Sequence, residues 1–241
     1  MLRVMRLPLT KYGLPQVAIY PSIILAAMVI YGIVFQHVTQ RPVIGYAAFW
    51  IPIILLLAVL GWMLAFFRDP KRRIPDEADL LLSPADGTVT AVETLEACEG
   101  FEGPVLCIKI FLNIFNVHIN RVPCAVRIGT IDYRPGSFMD ARKPESSVVN
   151  ESNAIEMFRL DAPTDRLLVR QISGAVARRI VCEARSEAEY PAGAQFGMIK
   201  FGSGTELYVP LRQRLECLVH KGDKVKAGLT VLARYHHAAQ Q

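Results

Sequence analysis

The segment Gly197–Pro210, GMIKFGSGTELYVP, places a Gly-Ser-Gly tripeptide between two apolar runs of strand length. Both runs contain residues that are enriched in β-strands, and the glycines at 202 and 204 allow sharp backbone turns on either side of Ser203. By itself such a tripeptide is typical of an ordinary hairpin turn. A serine between two glycines can also be held in a strained conformation, which makes Ser203 a candidate reactive residue.

Short apolar runs of the same kind recur on both sides of this segment, separated by Gly, Pro and Asp. They read as strands of ordinary length, and they are Thr88–Val92, Val105–Phe111, Val126–Tyr133, Leu167–Ile172, Ala177–Glu183, Gly197–Phe201, Glu206–Pro210 and Leu229–Arg234. We therefore predict a mostly β fold, a barrel or sandwich built of hairpins, α+β overall. A short helix is expected near Asn113–Asn116.

The N-terminal part of the chain is of a different kind. Val43–Phe67, VIGYAAFWIPIILLLAVLGWMLAFF, contains 25 residues without a charge, and a helix of that length spans about 37 Å, more than a ~30 Å hydrocarbon core requires. Val17–Phe35 is shorter and also uncharged. We predict an N-terminal transmembrane helical hairpin with helices at about 15–35 and 43–67, and a single amphipathic or re-entrant anchor remains the alternative.

Cations flank the outer ends of this hairpin: Arg3, Arg6 and Lys11 precede it, and Arg68 and the run 71–73 follow it. The positive-inside rule then places both outer ends in the cytoplasm. The sequence predicts a membrane anchor over residues 1–73 and a domain over 74–241 that faces the cytoplasm from the cell inner membrane. Residues 68–78 read as a charged linker or interfacial segment.

Charge and cysteine usage exclude several classes of protein. The net charge of +5 is mildly basic, but no zinc-finger spacing or aromatic RNA-binding signature accompanies it, so no nucleic-acid partner is expected. An anionic lipid surface is the better match for cations beside apolar segments. The 5 cysteines contain no CxxC pair, which argues against a metal site or a disulfide framework.

Two further segments contain residues suited to nucleophilic chemistry. Ser83–Gly87, SPADG, contributes Asp86, and Asn116–Pro123, NVHINRVP, contributes His118. Singly, Asp86 is typical of a turn and His118 of a hydrogen-bonded core histidine. Together with Ser203 they supply a nucleophile, a base and a carboxylate that orients the base.

At this point a resemblance becomes specific. The motifs SPADG, FLNIFNVHINRVP and FGSGTELYVP occur in this order and spacing, and with them the chain from about residue 80 to the end resembles the short form of the phosphatidylserine decarboxylases. The resemblance implies self-cleavage between Gly202 and Ser203, which turns Ser203 into a pyruvoyl cofactor, with His118 and Asp86 as catalytic residues. Fragments 1–202 and 203–241 would form a heterodimer. Arg121 stands where the longer bacterial forms have a second histidine, and Gly204 departs from the residue usual in many relatives.

The implied reaction converts phosphatidylserine in an anionic membrane to phosphatidylethanolamine and CO2 through a Schiff base. Among candidate substrate-binding residues we name Arg121 and Asn150, with Arg134 and Arg142 as further cations, and we expect Arg134–Asn153 to form a loop over the site. Two alternatives stay open: a decarboxylase of another serine-headgroup lipid, and a non-catalytic membrane-anchored β-domain scaffold. Whether the protein forms a homo-oligomer, and whether His118 serves both cleavage and decarboxylation, also stay open.

Overall fold

A computed structural model describes residues 9–38, 42–175, 179–200, 203–212 and 214–236. The chain divides into two compact units, Met1–Pro70 and Lys71–Gln241, and each is described by itself. The boundary that we place after residue 73, between membrane anchor and catalytic domain, and the cleavage between residues 202 and 203 remain predictions. Gly202, one side of the expected cleaved bond, lies outside the described residues.

The N-terminal unit contains a 3-10 turn at Lys11–Gly13 and two long helices, α1 at Gln16–Val38 and α2 at Pro42–Phe66. Both helices contact each other through aromatic side chains. The Phe35 and Phe49 rings lie 5.2 Å apart, and the Tyr31 hydroxyl donates to the carbonyl of Ala48. By length and composition each helix is able to cross a membrane, which agrees with the predicted apolar segments and indicates membrane association.

The C-terminal unit is built almost entirely from short strands. In chain order they are β1 Leu80–Leu82, β2 Gly87–Leu95, β3 Val105–Leu112, β4 Ile119–Arg121, β5 Val126–Arg134, β6 Ser152–Arg159, β7 Arg166–Ile172, β8 Arg179–Cys182, β9 Glu189–Tyr190, β10 Gln195–Lys200, β11 Ser203–Pro210, β12 Leu215–Cys217, β13 Lys224–Val225 and β14 Val231–Tyr235. One short helix, α3 at Ser146–Val149, lies between β5 and β6.

These strands form one large and two small antiparallel sheets within the described ranges. The large sheet has 8 strands in the order β13-β2-β3-β11-β7-β6-β5-β9, and the small sheets are β1-β14-β12 and β4-β10-β8. Strand β11 lies inside the large sheet, paired with β3 on one side and β7 on the other. The mostly β prediction is therefore confirmed.

Both faces of β11 are covered. Side chains alternate between the two faces of a strand, so Leu207 and Val209 share one face with Ser203 and pack into the main apolar core, which includes Ile108 and Val169. Tyr208 belongs to the opposite face and packs with Cys107. Every described residue of β11 is buried, so the candidate serine begins a strand that is fixed on all sides.

The structure corrects the expected helix at Asn113–Asn116, which is a turn. The Asn113 side chain accepts from the backbone N–H of Phe115 at 2.8 Å, and the Asn116 side chain accepts from the N–H of Asn113 at 2.9 Å. Asparagine side chains that bond nearby backbone in this way compete with helix formation. That prediction is wrong because local side-chain bonds replaced the helical ones.

The predicted strands are present with shifted ends. Leu229–Arg234 begins later, as β14, and Glu206–Pro210 begins earlier, as β11. Residues 177–178 and 201 of two predicted strands lie outside the described residues. We expect the segment Arg134–Asn153 to form a loop. In the structure it contains helix α3 and ends with the first two residues of β6.

Candidate active site

Ser203 begins β11 and is fully buried. It lies opposite Leu112 of β3. Its Oγ has no hydrogen-bond partner among the described residues, although a buried unpaired hydroxyl costs about 1–3 kcal/mol. Such an atom in a well-packed interior calls for a functional explanation.

His118 lies just before β4, and its ring is fully buried. Its Nδ1 is 3.0 Å from the carbonyl oxygen of Asn116. When Nδ1–H donates to that carbonyl, Nε2 is the ring nitrogen that can accept a proton. The carbonyl of His118 accepts from the N–H of Ile199 at 3.3 Å. His118 is therefore attached to β10, which ends at Lys200, three residues before Ser203.

A chain of buried amides ties these elements together. Asn120 Nδ2 donates to Thr205 Oγ1 at 3.1 Å, and Gln171 Nε2 donates to Asn120 Oδ1 at 2.9 Å. Asn153 Nδ2 continues the chain to Gln171 Oε1 at 3.2 Å. This network joins β4, β11, β7 and β6 just below the Ser203 position. The sequence analysis missed it because single polar residues in apolar strands carry no spacing signal.

Asp86 has partners that the sequence did not indicate. Its Oδ1 accepts from the N–H of Ala227 at 2.8 Å, and Arg72 donates to Oδ2 at 2.8 Å and approaches Oδ1 at 2.8 Å. The predicted contact with His118 is not among the hydrogen bonds of Asp86 in the described part of the chain. Its catalytic role remains a prediction. Arg72, which we had assigned to a charged linker, is a buried partner of this carboxylate, with a side chain only 4% exposed.

The loop that carries Asp86 is nevertheless attached to the histidine segment. The carbonyl of Pro84 accepts from the N–H of Arg121 at 3.0 Å and from Asn120 Nδ2 at 3.4 Å. Ser203, His118 and Asp86 therefore lie on elements that are bonded to one another. The most direct bond between the strand that begins at Ser203 and the segment that contains His118 is the one from Asn120 to Thr205.

The candidate substrate-binding residues have structural partners. Arg121 is mostly buried and its Nη1 donates to the carbonyl of Gly193 at 2.9 Å. Asn150 Nδ2 donates to the carbonyls of Met139 and Ser173 at 2.7 and 2.8 Å, and its Oδ1 accepts from the N–H of Met139 at 2.8 Å. Asn150 thus fixes the preceding loop. Its binding role and that of Arg121 stay predictions.

The remaining candidate cations are exposed and paired. Arg142 holds Asp140 in a tight ion pair, and its hydrogen bonds lower the pKa of that carboxyl to about 2. Arg134 pairs with Asp132 at 2.8 Å. Both cations are compatible with a solvated surface.

A second buried polar cluster lies on the opposite face of β11. Glu206 accepts from Ser147 Oγ at 2.6 Å, from Arg170 at 2.9 and 2.6 Å, and from Tyr208 Oη at 2.6 Å. Burial, together with the neighbouring Glu206 carboxylate, raises the pKa of Tyr208, which keeps its proton and donates. Because Ser147 belongs to α3, this cluster fastens the loop that contains α3 to the strand that begins with Ser203.

Comparisons with known proteins identify the family of the chain. The family model for phosphatidylserine decarboxylase matches residues 59–233. The chain is 37% identical over 233 residues to a phosphatidylserine decarboxylase proenzyme of Rhodopirellula baltica, covering 95% of this chain and 89% of that protein. Proenzymes of the same name are 40% identical in Carboxydothermus hydrogenoformans, covering 77% and 85%, and 38% identical in Syntrophus aciditrophicus, covering 84% and 93%.

The matched range contains Asp86, His118 and Ser203, the three positions that the sequence selected, and their catalytic roles remain predictions. The relatives are named as proenzymes, which is consistent with a buried serine hydroxyl that has no hydrogen-bond partner among the described residues. The match extends over far more than half of the chain. The chain therefore belongs to the phosphatidylserine decarboxylase family, and it is an enzyme of this type.

Proposed function

We propose that this chain cuts itself between Gly202 and Ser203, becomes a pyruvoyl enzyme at Ser203, and converts phosphatidylserine to phosphatidylethanolamine and CO2. The observation that carries the proposal is the buried, unpartnered Oγ of Ser203 at the start of β11, in a member of a proenzyme family. Fragments 1–202 and 203–241 then form the working heterodimer.

The residues around Ser203 fit such a group. Its formation removes Oγ, which has no hydrogen-bond partner among the described residues, so none of the described side-chain hydrogen bonds is lost. The following residues, Gly204–Tyr208, stay paired with both β3 and β7. The C-terminal fragment is thus held in the sheet after cleavage. Once formed, the pyruvoyl group supplies an electron sink for the carbon that loses CO2.

His118 is the base proposed for processing. Its Nε2 takes the hydroxyl proton of Ser203, and Oγ attacks the carbonyl carbon of Gly202, so that the peptide bond is exchanged for an ester. Loss of the Ser203 α-proton then expels residues 1–202 as a carboxylate. One water is consumed and one ammonia is released as the new N-terminus forms. General base catalysis of this kind contributes typically 10²–10⁴-fold in rate.

Asp86 and the amide network position this chemistry. Asp86 fixes the loop that is bonded to Asn120 and Arg121, and Asn120 in turn is bonded to Thr205, two residues beyond Ser203. We propose that His118 also protonates the carbon that loses CO2, and that Arg121 and Asn150 shape the headgroup side of the pocket. The two apolar helices keep the enzyme at a membrane that contains its lipid substrate, with the C-terminal unit on the cytoplasmic side of the inner membrane.

The test is the intact mass of the purified protein under denaturing conditions, with lipid turnover measured in parallel. We expect two chains, the smaller beginning at residue 203 with a blocked, carbonyl-reactive N-terminus. Ser203→Ala should give one full-length chain without activity. Ser186→Ala is the control, because this exposed serine only donates to the carbonyl of Gly129, and it should be cut normally. A processed and active Ser203→Ala protein would refute the proposal, and turnover of a different serine-headgroup lipid alone would reassign the substrate.

A further inference from the structure

Three buried oxygen atoms that have no hydrogen-bond partner in the described part of the chain lie in one row where β11, β7 and β6 meet one end of the large sheet. Among the described residues, the buried side-chain oxygens that lack a hydrogen bond are Ser203 Oγ, Ser173 Oγ and Glu151 Oε2. Gly204 of β11 pairs with Ile172 of β7. Because the two strands are antiparallel, the preceding residue of β11, Ser203, lies beside the residue that follows Ile172, Ser173. Ser152 also pairs with Ile172, and the N–H of Ser173 donates to the carbonyl of Glu151 at 2.9 Å.

The three side chains share one face of the sheet. Thr205, Gln171 and Asn153 form the parallel row two residues further in, and the amide network binds them on that face. Side chains two residues apart on a strand point the same way. The outer row therefore faces the side on which Asn120 and the histidine segment lie.

The contrast between the two rows indicates a ligand. The inner row is linked by hydrogen bonds, whereas each member of the outer row has an oxygen with no hydrogen bond to any residue in the described ranges. Glu151 is 8% exposed, and the two serines are fully buried. Buried polar atoms are normally satisfied, so three in succession are expected where a bound molecule completes them.

Charge decides which part of the substrate fits. The Tyr133 hydroxyl donates to Glu151 Oε1 at 2.9 Å, and this hydrogen bond raises the pKa of Tyr133, which remains a donor. The other oxygen, Oε2, is left as an acceptor. A carboxylate taken out of water favours a cationic partner. Residues 201–204 around the proposed cleavage point carry no charged side chain, whereas a seryl headgroup offers an ammonium.

We infer that Glu151 and Ser173 form the amine subsite of this enzyme, in which Glu151 Oε2 binds the substrate ammonium and accepts its proton. The inference rests on the proposed function. The proton moves from the substrate ammonium, R–NH3+, to the Glu151 carboxylate, which gives neutral R–NH2 and a carboxylic acid. The nitrogen lone pair that this frees can then attack at the Ser203 position. Two strand spacings, about 10 Å, separate the β6 and β11 backbones, with Ser173 between them as the second hydrogen-bonding group for the headgroup.

The first test uses the uncut protein, so that it does not depend on cofactor formation. Binding of dihexanoyl phosphatidylserine to Ser203→Ala in detergent is compared with the double variant Ser203→Ala, Glu151→Gln. We expect at least a tenfold loss of affinity. Ser203→Ala, Glu93→Gln is the control, because Glu93 is a half-exposed carboxylate paired with Lys109 on another strand. The N-acetylated lipid, which lacks the ammonium, should bind both proteins equally weakly.

The second test uses the processing enzyme. Glu151→Gln should be cut at the wild-type rate, which also reports correct folding, while kcat/KM at pH 7 falls about 100-fold. The deficit should shrink as the pH rises and the amine loses its proton in solution. Glu151→Asp, which keeps the charge, should recover part of the affinity and covers the case in which Glu151→Gln does not fold.

The outcomes separate the two proposals. Unchanged affinity and kcat/KM in Glu151→Gln, or equal loss in a folded Glu151→Asp, overturn the amine subsite. Loss of self-cleavage in Glu151→Gln also overturns it, because Glu151 would then act in processing. A wild-type chain that neither cuts itself nor turns over lipid defeats the proposed function instead, and the ammonium dependence of binding to Ser203→Ala is still measured.

Discussion

The ion pair between Arg72 and Asp86 offers the sharpest test of how the C-terminal unit is held together. The two side chains are 4% and 10% exposed, and two N–O distances of 2.8 Å join them. Arg72→Met removes the guanidinium and leaves the carboxylate with the N–H of Ala227 as its remaining described partner. Removing one member of a buried pair costs about 3–5 kcal/mol, because the other charge stays buried.

That cost translates into a large shift of the unfolding midpoint. A domain of 150–250 residues loses about 2–4 °C for each kcal/mol, so Arg72→Met should lower the midpoint by about 6–20 °C. The assay is thermal unfolding in detergent followed by circular dichroism, in a Ser203→Ala background that keeps the chain uncut. Self-cleavage of Arg72→Met in the wild-type background should also slow, because the loop from Ser83 to Asp86 loses its anchor.

A matched exposed pair supplies the control. Arg127 and Glu187 approach to 2.6 Å, but their side chains are 39% and 72% exposed, and such surface pairs contribute at most about 1 kcal/mol. Arg127→Met should therefore move the midpoint by no more than about 4 °C. A midpoint for Arg72→Met that matches the one for Arg127→Met would refute the reasoning, since Asp86 would then be solvated.

Two further predictions concern the core. Burial raises the pKa of both Cys107 and Cys124 to about 12, so the folded protein keeps thiol protons that the unfolded chain releases above about pH 9. The free energy of unfolding should therefore be constant with respect to these thiols below about pH 9. Between pH 9 and 12 it should fall by up to about 1.4 kcal/mol per pH unit for each thiol. Midpoints measured over pH 8–11 check this, and the variant with both thiols replaced by alanine should show a flatter slope. Gly197→Ala should destabilise by about 1–3 kcal/mol, because an added Cβ would meet the carbonyl oxygen of Val181 at 2.2 Å, and an unchanged midpoint would contradict that close approach.

Apolar periodicity predicted most of the fold because it records burial directly. The runs at Val105 and Val126 became β3 and β5, and the two long apolar segments became α1 and α2. The order of strands was not predictable. Residues 203–210 pair with 105–112 and 168–172, and such distant partners leave no local pattern in a single sequence.

The site residues were predictable from the sequence only where they belong to a recognisable motif. Ser203 and His118 were selected from motifs, and the bond from Asn120 to Thr205 joins their segments. Arg72 was misjudged, because a cation near an apolar helix looks the same whether it meets lipid or a buried carboxylate. Asn120 and Gln171 were missed for a related reason: an amide in an apolar strand is a signal only when its partner is known, and the partners are 51 residues apart.

Ser203 is the first residue of β11, and this position gives it a fixed backbone together with a side chain that can react. Thr205, one step further in on the same face, has its hydroxyl held by Asn120, and an equivalent bond to Ser203 would compete with attack on the preceding carbonyl. Pairing with β3 on one side holds Ser203 itself, and from Gly204 onward β7 is added on the other. The sheet thus fixes where the serine lies, while Oγ has no hydrogen bond among the described residues. In the proposed self-cleavage the same arrangement keeps the new chain end in place. A hydroxyl placed two residues deeper would be equally fixed and, because Asn120 holds it, less able to react.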